Sequence, residues 1–207
     1  MPTGLIMPIG IFIALFGYLL GSVPTGIVLT RFFSKVDPRK AGSKNIGATN
    51  IYRTAGKTLG ALTLLGDILK GAIPIWMALM WSQRDLWGIP DLWIAIVGLS
   101  PILGHIFPIF LGFKGGKGVA TALGTYLLIS PISVFIEAAL FVFIVWKWRF
   151  IALASMICAI TIPVLIAIIR SERIYVILSV IIAALILYRH QSNISRLIQG
   201  TENKWKP

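Results

Sequence analysis

The sequence predicts an all-α membrane protein of seven transmembrane helices, with an extracellular N-terminus and a cytoplasmic C-terminus. Of the 207 residues, 57% are hydrophobic and only 13% are charged, and the mean hydropathy is +0.88. Long apolar stretches alternate with short charged or glycine-containing segments. Soluble domains have roughly 25% charged residues, so this composition excludes an ordinary water-soluble enzyme.

The helices follow from the apolar stretches, because about 20 apolar residues cross the ~30 Å hydrocarbon layer. No charged side chain precedes Arg31, which predicts a retained first helix and not a cleaved signal peptide. Ser130 and Pro131 are predicted to divide one long stretch into two helices. The predicted spans of this single domain, 1–207, are 4–30, 58–80, 92–112, 117–130, 132–147, 150–169 and 174–190.

The distribution of Lys and Arg predicts the direction of the helices. Seven spans put 15 basic residues on one side of the membrane and three on the other, whereas six spans give 11 and 7. Cytoplasmic loops carry the excess of Lys and Arg. The polar segments 31–57, 112–118 and 189–207 are therefore predicted to be cytoplasmic.

Several classes of partner are excluded at this stage. The formal charge is +12, but the basic residues lie between apolar runs and not on a polar surface, so no nucleic acid is expected. Cys158 lies within an apolar run, and His105 and His190 lack ligand-type partners at suitable spacing, which predicts no metal and no cofactor. The lipid bilayer is an expected partner, and no obligate protein partner is predicted.

The first polar segment contains AGSKNIGATNIYRTAGK at 41–57. Glycines allow close backbone approach or positive φ, Ser, Thr and Asn supply donors and acceptors, and the fork of Arg53 suits a phosphate. This composition predicts a cradle for an oxyanion, with a flexible linker as the alternative. The candidate residues are Gly42, Ser43, Asn45, Thr49, Asn50 and Arg53.

The second polar segment, GFKGGKGVATALG at 112–124, precedes a membrane helix. Backbone N–H groups at a helix N-terminus together with two lysines predict a phosphate site, although the spacing is not that of a Walker A loop. The alternative is positive-inside lysines beside glycines that pack helices. The candidate residues are Lys114, Gly115, Gly116, Lys117 and Gly118.

The third polar segment, YRHQSNISRLIQGTENK at 188–204, follows the last span. His190, Asn193 and Arg196 recur every three residues, so on a helix they share one face. An interfacial amphipathic tail is the alternative. Three such segments on one side of a small membrane protein are predicted to converge on one site.

One charged pair lies inside a predicted span. Lys70 follows Asp67 by three residues, a spacing that places both side chains on one helix face. Because an intramembrane charge needs a partner or a polar cavity, the pair is interpreted either as an internal ion pair or as part of a functional site.

Taken together, the motifs resemble those of the bacterial acyl-phosphate:glycerol-3-phosphate 1-O-acyltransferase family, in the same order along nearly the whole chain. The motifs are GSVP at 21–24, GS-x-N-x-GATN-x-x-R at 42–53, GHIFP at 104–108, FKGGKGVAT at 113–121 and RH-x-x-NI-x-RL-x-x-G-x-E-x-K at 189–204. The resemblance implies seven helices in a bacterial inner membrane and a cytoplasmic site that acylates glycerol 3-phosphate with an acyl phosphate.

The resemblance also implies roles for matched positions. Ser43 and Arg53 are implied to be needed for activity, as are His190 and Asn193, while Glu202 is implied to be structural. The glycine and lysine residues of the second segment are implied to bind glycerol 3-phosphate. The family's usual glycine is replaced by Lys44, which is either strained, if its φ is positive, or an added cation beside the phosphate.

The expected mechanism is direct transfer, because an acyl phosphate is already activated and the enzyme mainly aligns a hydroxyl with the carbonyl. Basic groups hold the phosphates, Ser43 and Asn193 orient the reactants, and His190 orients a group or transfers a proton. The alternative function is a membrane carrier of phosphate or organophosphate, in which the same segments bind anions without chemistry.

Overall fold

The computed structural model describes residues 6–82, 90–170 and 172–205, and every regular element in these ranges is helical. The α-helices in chain order are α1 (Ile6–Ser22), α2 (Thr25–Phe33), α3 (Ala48–Ala55), α4 (Lys57–Ser82), α5 (Asp91–Ile106), α6 (Val119–Ile129), α7 (Pro131–Trp148), α8 (Ile151–Ile169), α9 (Arg173–Arg189) and α10 (Gln191–Ile198). A short 3₁₀ helix, Ile109–Leu111, follows α5. The all-α prediction is confirmed.

Four segments of the described chain are long and apolar enough to cross a membrane by themselves. They are α4, α5 with the 3₁₀ helix, α7 and α8. Two bent pairs, α1 with α2 and α9 with α10, raise the number to six if each pair is one span. The apolar helix α6 has 11 residues, about 16 Å at ~1.5 Å per residue, roughly half of the hydrocarbon layer. Each of the seven predicted segments therefore holds a helix.

The first predicted span, 4–30, holds two helices instead of one. The chain bends by 42° between α1 and α2, where Pro24 has φ −83° and ψ 76°. Proline lacks an N–H and disfavours helical backbone at the preceding residue, so the GSVP sequence ends α1. Helix α2 then continues past Arg31 to Phe33.

The predicted loops also contain helices. Helix α3 lies within the segment 31–57, and α10 lies within 189–207, which the chain enters through a 58° bend after α9. In contrast, the predicted break at Ser130 and Pro131 is confirmed. Ser130 lies between α6 and α7 with φ −149°, and Pro131 occupies the first turn of α7, a position where its missing N–H is not needed.

Contacts divide the chain into two compact units. In the first, Met1–Leu128, helices α1, α4 and α5 pack against one another, while α2 and α3 pack on α4. Helix α6 approaches α4 backbone to backbone, because a Cβ at Gly71 would overlap the Thr121 carbonyl and a Cβ at Gly124 would overlap that of Ile68. Small residues at such crossings are typical of membrane helices.

In the second unit, Ile129–Pro207, helix α8 packs against both α7 and α9. Beyond α10, the chain returns to the end of α7, where the Trp205 N–H donates to the Arg149 carbonyl. Glu137 of α7 is buried, and its Oε1 accepts a hydrogen bond from Thr161 Oγ1 of α8 at 2.7 Å. The other carboxylate oxygen has no hydrogen-bond partner among the described residues.

Replacing Glu137 with methionine is expected to raise the free energy of unfolding by about 1 kcal/mol, because it removes a buried oxygen that lacks a partner. Thr161 keeps its bond to the Ile157 carbonyl at 3.0 Å. Thermal unfolding in detergent, followed by tryptophan fluorescence, measures the change. Glu137→Gln is the matched control, since it keeps a polar group at this position. A methionine variant that melts no higher than the glutamine variant contradicts the expectation.

Candidate active site

The loop between α2 and α3 folds around the side chain of Asn50, which is 2% exposed. Its Nδ2 donates to the carbonyls of Pro38, Ala41 and Asn45 at 3.0, 3.2 and 2.8 Å. Its Oδ1 accepts the Ser43 N–H at 2.8 Å. Both polar atoms of the Asn50 side chain therefore hold the loop, and its predicted role in binding substrate stays a prediction.

The loop reverses direction at Gly42, Ser43 and Lys44. Gly42 has φ +57°, and a Cβ there would overlap the Asn50 side-chain oxygen, so glycine is required on both counts. Lys44 also has φ +57°, which places a lysine in left-handed backbone. Ser43 lies between them with its N–H bound and its side chain exposed.

Substituting Lys44 with glycine is expected to stabilise the protein by up to about 1 kcal/mol, because left-handed backbone costs a non-glycine residue roughly that much. Lys44→Ala is the control, since it removes the ammonium group and keeps the strain. Thermal unfolding compares the two variants, and the KM for glycerol 3-phosphate, the substrate that the resemblance implies, reports the effect of the charge. Equal melting temperatures contradict the strain argument, whereas an equal rise of KM in both variants identifies Lys44 as a phosphate ligand.

The remaining candidates of this segment lie at the two ends of α3. Asn45 Oδ1 accepts the Gly47 N–H at 2.8 Å, which forms a turn directly before the helix. Thr49, in the first turn, is partly buried, and Arg53, in the last turn, is exposed. Ser43 and Arg53 thus present their side chains at the surface, while Asn45 helps to build the loop.

A surface ion pair stiffens the same loop outside the membrane-spanning segments. The Asp37 carboxylate accepts bonds from the Arg39 backbone N–H, Nε and Nη2, each at 3.0 Å. The side-chain hydrogen bonds hold the pKa of Asp37 below its usual value. The contribution of this pair to the free energy of unfolding is therefore present above the unfolded-state pKa of Asp37 and is lost as the pH falls through the folded-state pKa. At the protein surface it is small.

The glycine-lysine loop, Lys114–Gly118, is attached to the end of α5. The Gly115 N–H donates to the Ile106 carbonyl at 3.1 Å, and the Gly116 N–H donates to the His105 carbonyl at 3.0 Å. Both N–H groups are thus bonded to carbonyls at the end of α5, and the predicted binding of an anion by Gly115 and Gly116 stays a prediction.

The other groups of this loop keep their predicted placement. Lys114 is exposed and Lys117 is partly exposed. Gly118 has φ +80° and directly precedes α6, whose first N–H groups have no partner within the helix. Lys117 therefore lies two residues before Val119, the first residue of α6, and the N-terminal end of this helix carries a partial positive charge.

The third polar segment is organised by Glu202. Asn193 Nδ2 donates to Glu202 Oε1 at 2.9 Å, and Arg196 Nε donates to Oε2 at 2.7 Å. The carboxylate thereby ties α10 to the chain that follows, which supports the structural role implied for it. Asn193 and Arg196 share a helix face, as predicted.

His190 lies at the bend between α9 and α10 and is 2% exposed. Its Nδ1 is 2.7 Å from the Ile186 carbonyl. A carbonyl oxygen only accepts, so Nδ1 carries the proton and, in the neutral ring, Nε2 is the acceptor.

Asp67 and Lys70 form a buried ion pair in α4. Asp67 Oδ1 is 2.9 Å from Lys70 Nζ, each side chain is 4% exposed, and Nζ also donates to the Val23 carbonyl at 3.2 Å. The two side chains thus form an internal ion pair, and a functional role for the pair stays a prediction. The pair joins α4 to the break between α1 and α2.

Most of the chain has relatives. A sequence model described as glycerol-3-phosphate acyltransferase matches residues 11–200. The chain belongs to this family. The glycerol-3-phosphate acyltransferase of Geotalea daltonii is 51% identical over 189 residues, 91% of this chain and 94% of the relative. That of Fusobacterium nucleatum is 42% identical over 191 residues, 91% of this chain and 94% of the relative.

The fold is also that of a solved membrane enzyme. The crystal structure of PlsY (YgiH), an integral membrane glycerol 3-phosphate acyltransferase in its glycerol 3-phosphate form, matches with a TM-score of 0.88 and 38% identity. The match covers 95% of this chain and 96% of that one. A second structure, the lysophosphatidic acid form, gives a TM-score of 0.86. The protein is thus a multi-pass membrane acyltransferase.

Sequence reasoning missed His105 and Thr121, which lie under the glycine-lysine loop. His105 belongs to the GHIFP motif and Thr121 to the FKGGKGVAT motif. Their spacing in the sequence does not indicate that they are in contact, yet His105 Nδ1 lies 3.3 Å from Thr121 Oγ1. Among the described residues, no group of three His, Cys, Asp or Glu side chains is placed to hold a metal ion.

Proposed function

We propose that the protein transfers an acyl group from an acyl phosphate to the 1-hydroxyl of sn-glycerol 3-phosphate, giving 1-acylglycerol 3-phosphate and inorganic phosphate. The observation that carries the proposal is the family match over residues 11–200, which includes all but the last few residues of the three polar segments. It is supported by the likeness to a structure obtained in glycerol 3-phosphate and lysophosphatidic acid forms.

Direct transfer fits the side chains that the structure exposes. Arg53, Lys114 and Lys117 hold the phosphates, and the first turn of α6 adds backbone donors in place of Gly115 and Gly116. As the hydroxyl attacks the carbonyl, the ester bond forms, the bond between acyl carbon and phosphate oxygen breaks, and the departing phosphate takes the proton. Positive groups offset the charge that develops.

In the third polar segment, the proposed role of the polar side chains is to orient a substrate. The Glu202 carboxylate fixes the Asn193 amide, so that its Oδ1 is presented in a set direction to a substrate hydroxyl. The Ile186 carbonyl fixes the His190 tautomer with an acceptor at Nε2, which suits a group that accepts a proton or positions a hydroxyl.

The site is proposed to lie at the cytoplasmic face of a bacterial inner membrane. The excess of basic residues in the three polar segments supports this direction. A long acyl chain can then stay in the hydrocarbon layer while its phosphate reaches the site from the side. No cofactor and no protein partner are required by this chemistry.

The deciding experiment is phosphate release from palmitoyl phosphate by the purified protein in detergent or lipid cubic phase, with and without glycerol 3-phosphate and with EDTA throughout. Release that requires glycerol 3-phosphate and equals the amount of lysophosphatidic acid formed establishes the activity without an added metal. Folded protein that releases no phosphate, but moves labelled glycerol 3-phosphate into liposomes, is instead a carrier.

A further inference from the structure

We propose that His105 is a positioning residue for acyl transfer, because its side chain supports the glycine-lysine loop from inside the protein. The residue ends the last turn of α5, is 5% exposed and has no part in the mechanism above. The inference rests on the proposed function, in which this loop binds the phosphate of glycerol 3-phosphate.

The first support lies beneath Gly116. The His105 carbonyl accepts the Gly116 N–H at 3.0 Å, and a Cβ added at Gly116 would overlap the His105 ring at Nε2. No side chain separates the ring from the loop backbone, so the thickness of the imidazole sets the height of the loop.

The second support lies on the far side of Lys117. His105 Nδ1 is 3.3 Å from the hydroxyl of Thr121, which is fully buried in the first turn of α6. The ring therefore touches the chain both one residue before Lys117 and four residues after it. A lysine held between two fixed points keeps its backbone in place when an anion binds.

The buried ion pair lies near the same ring nitrogen, Nδ1, that contacts Thr121. Asp67 Oδ1 lies 3.8 Å from His105 Nδ1 and 2.9 Å from Lys70 Nζ. Charges buried in this way cannot move apart without a large desolvation cost. The geometry thus connects the break after α1, through Lys70, Asp67 and His105, to the loop.

Two variants test this role. His105→Ala leaves a void beneath Gly116 and is expected to lower kcat/KM by about a hundredfold, mainly through KM for glycerol 3-phosphate, since a loop displaced by about 1 Å costs that much. Thr121→Val removes one hydroxyl without a change of volume and is expected to raise the same KM about threefold. KM for palmitoyl phosphate and the melting temperature are measured alongside.

The matched control is Thr63→Val, because Thr63 is also fully buried but, among the described residues, bonds only to the Leu59 carbonyl of its own helix, at 2.7 Å. Its KM for glycerol 3-phosphate is expected to equal that of the wild type. If His105→Ala does not fold, Thr121→Val decides by itself. Unchanged KM values in the folded variants, or equal changes for Thr63→Val, overturn the proposal.

Limited trypsin digestion gives a readout without catalysis. Cleavage after Lys114 and Lys117 in detergent is expected to be about tenfold faster in His105→Ala than in the wild type, because the loop opens locally. If the wild type shows no release dependent on glycerol 3-phosphate, the proposed function fails, and the digestion still tests the support. An active wild type with unchanged loop cleavage and unchanged KM refutes the positioning role alone.

Discussion

Substitution of Asn50 with alanine is expected to lower the free energy of unfolding by about 3 to 4 kcal/mol and to abolish acyl transfer. The side chain makes four hydrogen bonds from a buried position, and each buried group that loses its partner costs about 1 to 3 kcal/mol. The loop that carries Ser43 then has no internal anchor. Thermal unfolding and phosphate release in detergent measure the two effects.

Two further variants separate anchoring from substrate contact. Asn50→Asp keeps the acceptor for the Ser43 N–H but replaces the donor that serves three carbonyls, so it is expected to destabilise almost as strongly as alanine. Thr54→Val removes only the hydroxyl that bonds to the Asn50 carbonyl at 2.8 Å and is expected to cost less than about 1 kcal/mol. An alanine variant that melts like the wild type but is inactive would show that Asn50 contacts substrate after all.

The helices could be predicted because the local amino-acid composition of a segment determines whether it can span a membrane. Length, hydropathy and a serine-proline break at Ser130 gave each segment, and these are local properties. The bend at Pro24 was also encoded locally. Hydropathy alone does not predict it, because the apolar run 4–30 continues through Pro24 and the missing N–H of proline does not change the hydropathy of the run.

It could not be predicted in the same way which residues of the candidate site hold the loop and which are exposed to a substrate. Composition identified the first segment as polar, glycine-rich and suited to an anion, yet Ser43 and Asn50 look equally fit for that task. Only the fold shows that Asn50 faces inward. The inward direction of the Gly115 and Gly116 N–H groups could not be predicted either. Their acceptors are carbonyls at the end of α5, outside the glycine-lysine loop.

Replacement of Ser43 with alanine is expected to lower kcat by about 100- to 1000-fold, the loss typical when one oriented donor at a reacting carbonyl is removed. The fold should remain intact, because Asn50 holds the backbone N–H of residue 43 and not the hydroxyl. Because Ser43 is exposed, loss of its hydroxyl is expected to affect only the interaction with the reactants. Steady-state phosphate release gives kcat, and tryptophan fluorescence confirms an unchanged melting temperature.

The same variant distinguishes direct transfer from a covalent acyl-enzyme. In direct transfer the wild type carries no acyl group, so its intact mass after acid quenching with palmitoyl phosphate alone equals the mass of the untreated protein. An added palmitoyl mass that disappears in Ser43→Ala would show that Ser43 is a nucleophile. Direct transfer remains the expectation because an acyl phosphate is already activated, and a first acylation of Ser43 would only exchange an anhydride for a less reactive ester.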